Sequence, residues 1–221
     1  MAEILGLYAG ALRALEPEGQ ATGIYKQPIT QADVTETGIV GDHQADRRMH
    51  GGEDKALHQF ALASYDTIVG QYPQLDGIAV PGAFGENLSS AEFDDQNVCI
   101  GDTYRIGSIV VQVSQPRRPC WKINHRFDCR ELSMFVERRR ITGWYYRVIE
   151  GGHVAVGDPM TLTERCNEDV SIATFTDVIS QHRPHPDMLD KLIHAANLNA
   201  DWRHRLVQRR DYLATRSGNA R

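Results

Sequence analysis

Residue types able to do chemistry gather in one short run, SQPRRPCWK, residues 114–122. Arg117 and Arg118 precede Cys120, and Lys122 follows it. Cations beside a thiol favour its ionised form, and a thiolate is both a nucleophile and a soft metal ligand. Most free cysteines are instead small buried apolar residues. Pro116 and Pro119 lack N–H donors and stiffen the run into an extended path outside a strand ladder. A basic, proline-stiffened segment is an unusual setting for a packing cysteine, yet its local chemistry leaves both readings open.

Three further segments carry polar groups at suggestive spacing. In MHGGEDKA, residues 49–56, Gly51 and Gly52 permit turns that expose consecutive N–H groups to an anion, with His50 and Lys55 as side-chain donors. A plain glycine turn is the commoner use of such a pair, and the P-loop spacing is missing. In FGENL, residues 84–88, Glu86 or Asn87 can hydrogen-bond a heterocycle, or simply build a turn. In GIVGDHQAD, residues 38–46, Asp42 and Asp46 either orient the following Arg47 and Arg48 or solvate a surface loop. The other cysteines, Cys99, Cys129 and Cys166, form no C-x-x-C pair, which removes the usual zinc, haem-attachment and ferredoxin patterns. His182, His185, His194 and His204 have no metal-ligand spacing and read as surface or capping residues.

The elements that must position these groups are short strands. Expected strands are Ile4–Tyr8, Thr22–Lys26, Ala56–Phe60, Asn97–Ile100, Thr103–Ile106, Ile109–Ser114, Gly143–Ile149, His153–Val156 and Met160–Thr163. Ile109–Val113 is β-branched and continuous, as expected of a strand buried on both faces. Two helices, about 63–71 and 130–139, interrupt the strands, and closely spaced strands with few long helices point to a barrel or folded sheet. After Cys166 the pattern becomes helical. Ser171 is a suitable N-cap, a second helix follows Pro186, and a third begins near Asp201. The apolar faces of these three helices must pack on the barrel or on a second subunit, so a homodimer is one arrangement to expect.

The chain has 221 residues and a net charge of -5. That charge argues against a basic nucleic-acid-binding surface. Three short helices invite comparison with a DNA reader, but residues 166–221 balance eight Lys and Arg against seven Asp and Glu, which creates no phosphate-directed field. The first residues lack the positive start of a signal peptide, and no apolar run approaches the roughly 20 residues of a membrane span. A cytoplasmic protein with no membrane and no nucleic-acid partner is expected.

Taken in order, GIVGDHQAD, HGGEDKA, FGENL and SQPRRPCWK, followed by GWYYRVIEGGHVAVGD at residues 143–158, resemble the MOSC-domain family and, within it, the YiiM type. The resemblance implies a MOSC domain over residues 1–165 and a C-terminal three-helix extension over 166–221. The fold it implies is mainly β, a barrel-like domain with short helices and a small helical subdomain. It further implies a molybdenum cofactor (Mo-molybdopterin) with Cys120 as its metal ligand. The implied activity is reduction of N-hydroxylated compounds, such as 6-N-hydroxylaminopurine, to amines, a detoxification. Electrons would come from a separate NAD(P)H-dependent reductase, since no G-x-G-x-x-G fingerprint follows a strand. Within that frame Cys120 and His50 are the catalytic candidates, His50 as proton donor. Gly51, Gly52, Lys55, Arg117 and Lys122 are candidates for the cofactor's phosphate, and Asn87 and Ser114 for its pterin or the substrate. Two departures, Phe60-Ala61 where relatives commonly show Tyr-Pro and Trp121 where Tyr is frequent, bear on substrate preference but not on Cys120. The alternative is a non-catalytic module that carries sulfur or the cofactor to a partner.

Overall fold

The structure, a computed structural model, describes residues 2–16, 19–45 and 51–218, with residues 217 and 218 described by their backbone alone. His50, Asp46, Arg47 and Arg48 lie outside the described residues.

Fourteen strands are present among the described residues. They are β1 (Ala2–Glu3), β2 (Gly6–Ala9), β3 (Arg13–Leu15), β4 (Gln20–Thr22), β5 (Gln27–Ile29), β6 (Gln31–Thr35), β7 (Gly38–Ile39), β8 (Leu57–Gln59), β9 (Leu88–Ser89), β10 (Thr103–Ile106), β11 (Ile109–Pro116), β12 (Trp144–Glu150), β13 (Gly152–Ala155) and β14 (Pro159–Glu164). Nine of them form one curled, half-barrel sheet in the order β1-β14-β10-β11-β12-β8-β9-β2-β5. A small sheet, β13-β6-β7, and a hairpin, β3-β4, stand beside it. Its pairs are antiparallel except β8 with β9. The sheet brings distant segments together, most of all at β1 and β14, where Ala2 faces Met160.

β11 is central, and seven of its eight residues are buried. Its β-branched run therefore meets packing on both faces, as its composition requires. Two register shifts bend it against β12, and Pro116 still faces Trp144. The ladder thus runs two residues further than the expected end at Ser114. Proline is tolerated there because it is the terminal strand residue.

Six α-helices are present among the described residues: α1 (Leu62–Gln71), α2 (Trp121–Arg126), α3 (Leu132–Arg139), α4 (Ile172–Ser180), α5 (Pro186–His194) and α6 (Ala200–Gly218). Helices α1 to α3 cover an aromatic core in which Phe60 and Phe84 stack with ring centroids 4.7 Å apart. Helices α4 to α6 extend the other, larger core. Phe175, Leu189, Leu192, Trp202 and Leu206 belong to one cluster with Val111, Val113 and Tyr146 of the sheet. The extension's apolar faces are thus spent on the sheet of the same chain. Ser171 caps α4, its side chain accepting from the Thr174 N–H at 3.1 Å.

Of the expected strand at Thr22–Lys26 only Thr22 is in a ladder, at the end of β4, and residues 23–26 form a break before β5. Gly23 passes so near the His43 carbonyl that a Cβ there would lie 2.3 Å from its oxygen, and this close passage leaves no ladder. Asn97–Ile100 contributes one bridge, Cys99 with Ser171. Strand β6 escaped the sequence pattern because of its five residues only Val34 is buried. Helix α2 escaped because only Ile123 is buried on it. No helix among the described residues is long and apolar enough to cross a membrane.

Candidate active site

The end of β11 delivers the basic run to an opening in the sheet wall. Arg117 donates its backbone N–H to the Gly143 carbonyl at 2.9 Å. Gly143 has φ of 72°, and a Cβ there would lie 2.4 Å from the Gln59 carbonyl oxygen, so only glycine fits this turn behind the cysteine loop. The Arg117 side chain is buried. Its Nη2 donates to the Phe84 carbonyl at 3.1 Å, while its Nη1 is buried with no hydrogen-bond partner among the described residues. Cys120 follows in extended conformation just before α2, a half-buried free thiol.

A cavity of about 670 Å³, counted with its open mouth, is lined by Lys55, Asn87, Arg117, Cys120 and Lys122 together. Five of the candidates from three separate segments thus meet at one place. Lys122 Nζ donates to the Ala21 carbonyl at 3.0 Å, across the mouth from its own helix. Lys55 ends a single turn of 3-10 helix, Glu53–Lys55, whose preceding Gly52 has φ of 92°. Gly51 and Gly52 do not line the cavity, nor does Ser114. Ser114 is fully buried and donates to the Asp54 carbonyl at 2.5 Å, with the Tyr145 carbonyl 3.1 Å away. Asn87 spends its side chain on the fold. Its Oδ1 accepts from His58 N at 3.0 Å, and its Nδ2 donates to the Tyr8 carbonyl at 3.1 Å and to Asp42 at 3.0 Å.

Several lining residues were not singled out from the sequence. Lys26 is buried and paired with Asp42, with Nζ 2.6 and 2.5 Å from the two carboxylate oxygens. Burial depresses the Lys26 ammonium's pKa, and the Asp42 carboxylate opposes that shift. Asp42 therefore serves a lysine of the cavity wall. His58, opposite Tyr145 in the β8–β12 register, is buried, and its Nε2 has no hydrogen-bond partner among the described residues. Burial, reinforced by the Arg117 guanidinium, pushes the imidazole well below its usual range, so it is neutral near pH 7. Tyr145 lines the cavity too, and burial raises its phenol. Glu86 lies inside the 82–86 loop, taking hydrogen bonds from Tyr65 Oη and from the N–H groups of Gly82 (2.6 Å) and Phe84 (3.1 Å). It fixes the carbonyl that holds Arg117 and does not face a ligand. The one available signal was a histidine set in the apolar run ALHQF. Nothing local marks Lys26.

Among the described residues no three His, Cys, Asp or Glu side chains stand close enough to hold a bare metal ion. A metal at Cys120 would need its other ligands from an organic chelator. The surroundings suit one: a free thiol on the wall, lysine and arginine cations around it, and a buried guanidinium nitrogen with no acceptor among the described residues.

The chain matches the family model described as MOSC domain over residues 46–161. It is 35% identical over 206 residues to Protein YiiM of Escherichia coli, covering 92% of this chain and 91% of that protein. It is 36% identical over 168 residues to a protein named Reductase from Gibberella moniliformis, covering 73% of this chain but 29% of the relative. The crystal structure of YiiM from Escherichia coli superposes with a TM-score of 0.79 at 30% identity, over 95% of this chain and 92% of the other. That of YiiM from Geobacillus stearothermophilus gives 0.78 at 27% identity, over 95% and 99%.

Proposed function

The chain belongs to the MOSC-domain family, and from that premise we propose that it is a molybdenum-cofactor-dependent reductase of N-hydroxylated compounds. The observation that carries the reading is the position of Cys120, a half-buried free thiol in the wall of a cation-lined cavity. When bound, the molybdenum–pterin group supplies the electron pair that cleaves the N–O bond. The balance is R–NHOH plus two electrons plus two protons, giving R–NH₂ and water. The residues divide that work. Cys120 offers a sulfur ligand. Lys55, Arg117 and Lys122 offer cations for the cofactor's phosphate, and the unpartnered Arg117 Nη1 is preset to donate. His50 is retained as the proton donor, because neutral, buried His58 is poorly placed to be one. The electrons would come from a separate NAD(P)H-dependent reductase. In the fungal protein named Reductase the matched segment is under a third of the chain, which accords with a module working beside other machinery.

The test is molybdenum content and 6-N-hydroxylaminopurine reduction measured on one preparation, made in a host that synthesises the cofactor. Reduced viologen should support turnover and NADPH alone should not. Cys120→Ala should lose both metal and turnover while keeping its thermal midpoint, since a partly exposed sulfur leaves little cavity. Full activity in that variant would overturn the reading. Transferable sulfur without turnover would favour a carrier instead.

A further inference from the structure

Past Cys120 the opening widens into a second cavity, about 1330 Å³ when counted with its mouth. It shares Lys55, Arg118, Cys120, Lys122 and Tyr145 with the first cavity, but its far wall, Arg205 included, belongs to the C-terminal extension. That wall is firmly held. Asn199 N donates to the Ser114 carbonyl at 3.0 Å, its Nδ2 donates to the Asp54 carboxylate at 2.5 Å, and its Oδ1 accepts from Trp202 N at 3.1 Å.

The charges on this cavity are unbalanced. The guanidinium carbons of Arg118 and Arg205 lie 5.9 and 5.8 Å from the centroid of the buried Trp202 ring. Both arginines are exposed, and neither has a carboxylate partner among the described residues, whereas Arg147, Arg165 and Arg210 all have one. Two guanidinium groups without carboxylate partners on one cavity leave it a net positive field that an anion would neutralise. Asp201 is the single carboxylate in the lining. Trp121, 41% exposed and next to Cys120, offers an aromatic surface on the same cavity. Base–aromatic contact and a guanidinium pair for phosphate are complementary to one class of ligand.

We propose that the second cavity binds the compound to be reduced, and that it selects a nucleotide carrying the N-hydroxylated base over the free base. The phosphate would sit on Arg118 and Arg205 and the base against Trp121. This rests on the reductase reading of Cys120 and narrows its substrate class.

The probe is adenosine 5′-monophosphate, the amine that such a nucleotide would yield, compared with adenosine and adenine by calorimetry on the full chain. The monophosphate should bind at least about tenfold tighter than adenosine, because charge-assisted contacts carry that much. Arg118→Ala and Arg205→Ala should each weaken it roughly ten- to a hundredfold and leave adenine within about twofold. Lysine at either position should restore part of the loss. Equal affinity for monophosphate and adenosine overturns the proposal. So does monophosphate binding that is lost in Arg117→Ala but intact in Arg205→Ala, since Arg205 lines the second cavity alone and the phosphate then occupies the first. None of these titrations needs turnover. Phosphate-dependent binding together with failed N–O reduction would sink the reductase reading and leave the anion site standing.

Discussion

Two aspartates hold the loops of the site from opposite sides, in contrasting surroundings. Asp42, on the inner side, has a side chain 3% exposed, paired with a Lys26 side chain 5% exposed, and also accepts from Gly10 N (2.9 Å) and Asn87. Asp54, on the outer side, is 33% exposed. It takes Arg147 Nε at 2.7 Å and Asn199 Nδ2 at 2.5 Å, with Ser114 on its carbonyl. The inner carboxylate faces a cation that water cannot solvate, so the pair stands or falls as one. The outer one spreads its bonds over three segments, with water as a substitute. Burial, more than the number of bonds, decides what each is worth.

The largest expected effect follows at the inner hub. Asp42→Ala strands a buried ammonium and should cost about 3–5 kcal/mol in urea unfolding. Lys26→Met combined with Asp42→Asn should cost less than Asp42→Ala alone, because no charge is then left unpaired. A loss below about 1 kcal/mol for Asp42→Ala would erase the contrast. At the outer hub, Asp54→Ala should cost about 1–2 kcal/mol, discounted for its solvent exposure. Raising the salt should shrink that loss but not the loss at Asp42. Equal salt sensitivity at the two sites would contradict the assignment.

Asp95 isolates burial from pairing. It accepts from Thr142 N (2.8 Å) and Gly143 N (2.9 Å), and no cation faces it in an ion pair among the described residues. Burial pushes its carboxyl up to about 7. The folded state therefore keeps a proton that the unfolded chain releases near pH 4, so this group's contribution falls as pH rises from about 4 to 7. The slope is at most about 1.4 kcal/mol per pH unit and flattens above pH 7. Asp95→Asn should lack this component, read as wild type minus variant in urea midpoints across pH. A difference that grows more stabilising with pH would show the carboxyl ionised when folded.

What was legible in the sequence is what neighbours along the chain determine. The cysteine between cations, the β-branched run of β11 and the Ser171 cap all depend on residues a few positions apart. The Lys26–Asp42 pair closes 16 residues of chain and Asn199–Asp54 closes 145. No local pattern predicts which polar residues such closures select. Asn87 and Ser114 show the same limit from the other side: both stand in motifs, and their side-chain hydrogen bonds go to distant parts of the fold. The second cavity was hidden for the same reason, since Cys120 and Arg205 meet only through tertiary packing.

The pairing of Ala2 with Met160 sets a schedule for the chain's birth. Synthesis proceeds at roughly 5–20 residues per second, N-terminus first. The first strand therefore waits on the order of ten seconds for its partner to be made. Helices that finish the larger core, and the far wall of the second cavity, emerge later still. A sheet whose edge pairing spans most of the chain has a high contact order and a slow final step. The nascent polypeptide must hold an unfinished sheet edge through most of its translation, so chaperones that shield exposed strands have a long window in which to act. The surroundings of Cys120 are completed only once the helix carrying Arg205 has been made.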